Sequence, residues 1–197
     1  MKKLATALAL VLLPQIATAE GFYVGYHYGN SDFDTGVDTV VGATLDEEDN
    51  GYSLILGNRI DESVSLEGHY ADFGEASLAG DSGDTFRLSG TTYAFTTTAT
   101  ITASATSMGA SGKLHFNMAD SLDGYIKAGL HSWETEVTLS AATASATTTD
   151  DGVDTLFGMG AEYAIGEKIG LIVGYDRFNM DDDSVTLLYG GVEFDLN

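Results

Sequence analysis

The chain has 197 residues, no cysteine, one proline, 24 glycines, and 30 acidic against 8 basic side chains, for a formal net charge of −22. That length fits one domain, and an apolar fraction of 44% excludes a disordered acidic tail. The charge excludes a nucleic-acid partner, whose phosphates need clustered Lys and Arg. The missing cysteine removes disulfide scaffolds, thiolate metal sites and thiol catalysis together.

The chain opens with Lys2 and Lys3, an apolar stretch from Leu4 to Ile16 broken by Pro14, and Ala17-Thr18-Ala19. A short positive start, an apolar segment and a small-x-small end are the marks of a secretory signal peptide. The stretch is too short for a spanning helix, which needs about 20 apolar residues. Residues 1–19 are therefore expected to be a signal peptide and 20–197 a single exported domain without proline or cysteine.

Beyond residue 20 the apolar period is two. In the first strand Phe22, Val24, Tyr26 and Tyr28 alternate with Tyr23, Gly25, His27 and Gly29. The same pattern predicts strands near 51–60, 64–73, 106–116, 122–133, 155–165, 168–178 and 185–196, each about ten residues, the length with which a tilted strand crosses a bilayer. Connections alternate in length. Ile60 to Ser63, Asn117 to Ser121 and Ile165 to Glu167 read as short turns; 30–50, 74–105 and 134–154 are long, and 179–184 is a short acidic cap. Thr96 to Ser107 and Thr138 to Thr149 are rich in Thr, Ala and Ser, and β-favouring threonine predicts hairpins that project into solvent.

The parity opposite the apolar one repeatedly carries glycine, at Gly25, Gly57, Gly109, Gly129, Gly158, Gly160, Gly170 and Gly174. Glycine weakens a strand unless that side is crowded, and the interior of an eight-stranded barrel is just wide enough for side chains to fill it. Tyr26, Tyr28, Tyr70, Tyr163, Tyr175 and Phe194 fall on the outward parity near strand ends, where aromatic rings favour membrane interfaces. The expected fold is all-β: an eight-stranded antiparallel up-and-down transmembrane β-barrel.

With strands placed this way, the chain resembles the transmembrane domain of the outer-membrane protein A family. The likeness rests on Gly21-Phe22-Tyr23-Val24-Gly25, on Leu66 through Gly74, on Leu122-Asp123 with Tyr125, Lys127, Gly129 and Trp133, and on Gly160 through Ile165. The resemblance implies a polar cluster within the barrel that blocks or gates a narrow water path. It maps the cluster's acids onto Glu67 and Glu162 and its basic residues onto Lys113 and Lys127. The arginine of the family's seventh strand is Ile172 here, and the lysine of its first is His27. Alternation independently puts all four charges on the inward parity, where an unpaired charge is costly. Two acids are thus expected to face two lysines, with His27 and His69 in the same interior network and Arg59 near the short-turn end. The resemblance also implies an outer-membrane location, both termini on the periplasmic side, and insertion by the barrel-assembly machinery. Residue 197 leaves no space for the peptidoglycan-binding domain of longer family members.

Other chemistry is thinly represented. His27, His69, His115 and His131 share the inward parity but not one depth, so no zinc site is expected. Asp46 to Gly51 resembles the start of a calcium loop, yet its twelfth position is Gly57 instead of a bidentate Glu. Asp46, Glu48, Asp181, Asp182 and Asp183 read as a solvated acidic surface, with loose association of divalent cations as the alternative. His131 and Ser132 occupy opposite faces and cannot share a proton directly, which disfavours a lipid A-modifying enzyme. No enzymatic activity and no cofactor are expected. The expected role is structural or surface-interactive, in contact with outer-membrane lipids and lipopolysaccharide; a small gated pore is the first alternative and the lipid A enzyme the second. Cleavage after Ala19 is directly checkable: N-terminal sequencing of the exported protein should read from Glu20.

Overall fold

The computed structural model describes residues 21–196, so the expected signal peptide lies outside the described residues. Twelve strands occupy most of that span: β1 (Gly21–Asp34), β2 (Val37–Val41), β3 (Thr44–Asp46), β4 (Glu48–Arg59), β5 (Val64–Gly80), β6 (Thr85–Leu88), β7 (Thr91–Ala94), β8 (Ala99–Ala119), β9 (Leu122–Ala141), β10 (Ala144–Ile165), β11 (Ile169–Met180) and β12 (Asp183–Asp195). Eight of them, β1, β4, β5, β8, β9, β10, β11 and β12, pair antiparallel with their neighbours in chain order. The ring closes where Val24 of β1 faces Phe194 of β12 and Asp34 faces Ser184. Closure leaves no ladder edge along the barrel wall. The eight-stranded antiparallel barrel read from the period-two pattern is the fold observed, and each of the eight predicted strands overlaps one strand of the ring.

The pleat sorts the two parities as expected. Along β1, Tyr23, Gly25, His27, Ser31 and Phe33 are buried while Val24, Tyr26 and Tyr28 are exposed. Leu54, Leu56, Ile126, Leu171, Val173 and Leu188 continue the exposed apolar band around the outside. On a water-soluble domain a patch of that extent would be an aggregation liability; around a closed barrel it is the lipid-facing belt.

Several strands run well past that belt on one side. The β9–β10 ladder continues from Thr135↔Asp150 to Ala141↔Ala144, about 20 Å of additional strand at roughly 3.3 Å per residue. The threonine-rich segments therefore form projecting hairpins. Their neighbour β5 is kinked by a bulge between Asp72 and Glu75, where Gly74 takes φ +73° and a Cβ would collide with the Asp49 carboxylate. Within the long connections lies a second sheet, in the order β2-β6-β7. Its Val40 and Phe86 pack against Leu78, Phe95 and Ala99, tying it to the extended wall of β5 and β8.

At the opposite end the turns are tight. Ile60 N–H donates to the Val64 carbonyl at 2.9 Å, and Gly166 takes φ +74° between β10 and β11.

Interior glycines make room for large rings. A Cβ on Gly57 would sit inside the Tyr23 ring, and one on Gly160 or Gly174 would meet the Tyr125 hydroxyl. Gly57→Leu should therefore cost roughly 1–3 kcal/mol through overpacking. By contrast Gly112→Ala, whose Cβ has no neighbour within 4 Å, should stay within about 0.5 kcal/mol of wild type. Urea unfolding in lipid vesicles, followed by tryptophan fluorescence, measures both.

Candidate functional site: the barrel interior

Lys113 on β8 and Lys127 on β9 stand directly opposite each other in the ladder and both point inward. Like charges placed across a strand pair repel, so the arrangement depends on acids reaching between and around them. Glu67 on β5 does so first: Oε1 lies 3.1 Å from Lys113 Nζ, and Oε2 lies 3.8 Å from Lys127 Nζ. The Tyr23 hydroxyl donates to Glu67 Oε1 at 2.7 Å.

From the far wall come two further carboxylates. Glu193 on β12 lies 3.1 Å from Lys113 Nζ, and Asp176 on β11 lies 2.7 Å from Lys127 Nζ. The network thus holds three carboxylates around two ammonium groups. His27 is the remaining nitrogen base beside it, with Nε2 3.5 Å from Glu193 Oε1 and its ring stacked on Tyr189 at a centroid distance of 4.4 Å. Lys113 also lies over the Tyr125 ring at 4.5 Å from its centroid, a cation–π contact strengthened by the burial of both groups. The Tyr125 and Tyr189 hydroxyls are 2.8 Å apart and extend the network across the lumen.

The expected partner Glu162 is elsewhere. It lies 3.6 Å from Arg59 Nη2 at the short-turn end, where both side chains are partly exposed. Register gives the reason. Lys127 faces Gly158 on β10, whereas Glu162 faces Asp123, so the carboxylate is displaced along its strand by about 13 Å. The expected arrangement of two acids against two lysines is therefore corrected: Glu193 and Asp176 take the place assigned to Glu162. Both newcomers obey the same alternation, Glu193 between outward Val192 and Phe194, Asp176 between outward Tyr175 and Arg177.

His69 belongs to the next level toward the long loops instead of to the ionic cluster. Its Nε2 is 3.1 Å from Ser107 Oγ, which is in turn 2.9 Å from His131 Nδ1, and His131 Nε2 lies 2.9 Å from the Asn179 carbonyl. Phe178 packs edge-on against both rings, with Phe73 beside it. A serine between two imidazoles has the elements of a nucleophile–base pair, but it is sealed under this aromatic layer. Ser132 faces outward beside Met108. His115 sits apart, 2.9 Å from Ser65 Oγ.

Asp46 and Glu48 do not join Asp181, Asp182 and Asp183, which border the barrel mouth without them. Asp46 accepts from its neighbour Glu48 N–H at 3.4 Å, and Asp181 to Asp183 form the β11–β12 turn with Asp181 at φ +58°. Among the described residues no three His, Asp or Glu side chains form a metal-ligand set.

If Lys113 neutralises two acids at once, Lys113→Met should cost about 3–5 kcal/mol, because Glu67 and Glu193 are left buried beside each other. Glu193→Gln should cost less, since Glu67 still pairs with the lysine. Arg59→Met, at the partly exposed pair, should stay within about 1 kcal/mol. Equilibrium unfolding in vesicles ranks the three.

Comparisons with known proteins agree with this architecture. A family model described as an outer membrane protein beta-barrel domain matches residues 4–195. The crystal structure of Ail, the attachment invasion locus protein of Yersinia pestis, in complex with the heparin analogue sucrose octasulfate, is similar at TM-score 0.56 and 12% identity, covering 90% of this chain and 99% of that one. Neisserial surface protein A gives TM-score 0.54 at 16% identity, covering 89% and 97%. The N-terminal β-barrel domain of Pseudomonas aeruginosa OprF gives 0.51 at 13%, covering 90% and 99%. No curated protein matches the sequence. The family match spans nearly the whole chain, and the chain belongs to the outer membrane β-barrel proteins of Gram-negative bacteria.

Proposed function

We propose that this protein is a closed barrel that anchors an acidic, threonine-rich platform on the outside of the outer membrane, in a structural and surface-interaction role. The observation that carries this reading is the filled lumen. Tyr23, Lys113, Glu67 and Tyr125 are fully buried on the short-turn side, followed by His131, Leu156, Phe73 and Phe178 toward the loops. Ion pairs that satisfy one another in a dry tube leave no favourable site for a passing ion. A barrel so filled contributes area, rigidity and a display surface instead of a conduit.

The platform is the extended β5–β8–β9–β10 wall with its attached small sheet, rimmed by carboxylates from β1 and the β11–β12 turn. Its charge selects partners by sign. A polyanion such as the sucrose octasulfate held by Ail would meet carboxylates such as Asp34, Asp150 and Asp183 here, whereas a basic protein surface or a cation-bridged lipopolysaccharide layer would be attracted. Outer-membrane lipids are the partner of the apolar belt, and the barrel-assembly machinery that of the nascent chain.

One feature favours a second reading, a gated pore: Lys113 Nζ stands 3.1 Å from both Glu67 and Glu193, so its pairing can exchange between the two walls. Conductance in planar bilayers separates the readings. The closed-anchor reading expects no unitary currents from wild type or from Lys113→Ala. Wild-type currents overturn it, and currents that appear only in Lys113→Ala assign Lys113 to a gate.

A further inference from the structure

Above the aromatic layer, the barrel mouth opens into a cavity of about 430 Å³, within the range of small-molecule sites. Its floor is Phe33, Ala105, Trp133, Met180 and Val185, all buried. One wall is the extended barrel, through Leu78, Ile101 and Val137; the facing wall is the small sheet, through Val37, Phe86 and Leu88. The rim is of a different chemistry. Asp34, Asp150, Asp181, Asp182 and Asp183 all border the same space, and among the described residues no Lys or Arg side chain lines it.

Two independent observations show that this space lacks a partner. Trp133 is only 7% exposed, and its indole Nε1 has no hydrogen-bond acceptor among the described residues, a buried donor that ordinarily costs about 1–3 kcal/mol. At the rim, burial, together with the charges of Asp34, Asp182 and Asp181, pushes the Asp183 carboxyl above the usual carboxylate range. The floor is short of an acceptor, and the rim is short of a cation. Both needs are met by one molecule that spans the distance between them.

We infer that the cavity is a binding site for a small organic cation: an ammonium head at the Asp34–Asp183 rim, an apolar body against Phe33, Phe86 and Leu78, and a carbonyl or ether oxygen accepting from Trp133 Nε1. Each part answers one feature of the site. Carboxylates and aromatic faces together stabilise a quaternary or alkylated ammonium that would be poorly solvated in an apolar cup. The hydrogen-bond acceptor distinguishes this ligand from a plain hydrocarbon, which would leave the indole donor unpaired. Inorganic divalent ions fit the rim but nothing else in the cavity. Because the floor is closed by Phe33, Trp133 and Met180, the site captures its ligand from outside, whether or not the lumen below conducts. The small sheet acquires a purpose in the same stroke, since β6 supplies one of the two apolar walls.

The protein carries its own reporter. Trp133 is the only tryptophan of the chain, and it lines the cavity. The full barrel in phosphatidylcholine nanodiscs should be titrated with butyrylcholine, which has a quaternary ammonium, a short apolar tail and an ester carbonyl. Saturable change in Trp133 emission is expected. The uncharged isostere, in which carbon replaces the ammonium nitrogen, should bind about tenfold more weakly, and Asp182→Asn/Asp183→Asn should weaken butyrylcholine by a similar factor. Hexyltrimethylammonium, which lacks the acceptor oxygen, should bind about fivefold more weakly. Ala103→Phe fills the cavity from the β8 wall and should abolish saturation. If Ala103→Phe does not refold, the ligand series on wild type still decides. Absence of saturation with butyrylcholine overturns the site; equal binding of the uncharged isostere overturns its preference for a cation. Equal binding of hexyltrimethylammonium overturns the role given to Trp133 Nε1.

Discussion

Closure of β12 onto β1 is the constraint from which the remaining features follow. An eight-strand ring has a narrow interior, so its largest inward rings are fitted against glycines. Tyr23 lies over Gly57, and Tyr125 reaches toward Gly160 and Gly174. The same narrowness buries the interior charges, and a buried charge needs a partner. Outside, closure leaves no free backbone edge, and the strand exteriors can face hydrocarbon. A composition without proline after residue 14 and rich in glycine is the imprint of this one geometric requirement.

The interior is layered from end to end. At the short-turn end Arg59 and Glu162 remain in partial contact with solvent. Next comes the buried cluster of Glu67, Lys113, Lys127, Asp176 and Glu193, followed by the His69–Ser107–His131 layer under Phe73 and Phe178. The apolar cup at the mouth completes the stack. Charge density falls from the short-turn end toward the loops within the barrel and then rises again at the acidic rim. The apolar cup thus separates two charged zones that differ in kind: one in which carboxylates have ammonium partners, the other lined by carboxylates alone.

Much of this was readable from the sequence, because period two is a strong signal when one face meets lipid. All eight ring strands, the outward aromatics and the inward parity of Glu67, Lys113 and Lys127 follow from alternation alone. Alternation also marks Glu193 and Asp176, but each is one acid among thirty, and the family pattern drew attention to Glu162 instead. What parity does not encode is depth. Glu162 shares a face with Lys127 and still lies a third of a strand away, since depth depends on the stagger of eight ladders at once. The small β2-β6-β7 sheet was hidden for another reason. Its strands Val37–Val41, Thr85–Leu88 and Thr91–Ala94 are four or five residues long, too short for a period to emerge, and Val40 and Phe86 are held by packing against Leu78 and Phe95.

The opposition of Lys113 and Lys127 has a consequence for how the chain is assembled. Their strands, β8 and β9, are joined by a tight turn and pair locally, which sets two ammonium groups side by side midway through the sequence. Of their three acids, Glu67 precedes them, but Asp176 and Glu193 arrive only on β11 and β12, the last two strands. A barrel stalled before those strands dock would hold unneutralised cations at membrane depth, an expensive state in hydrocarbon. Asp176 thus joins Lys127 with β11, and Glu193 joins Lys113 with β12, the strand that also closes the hydrogen-bond ring. The two lysines therefore draw their carboxylate partners from both halves of the sequence, Glu67 from before them and Asp176 and Glu193 from after.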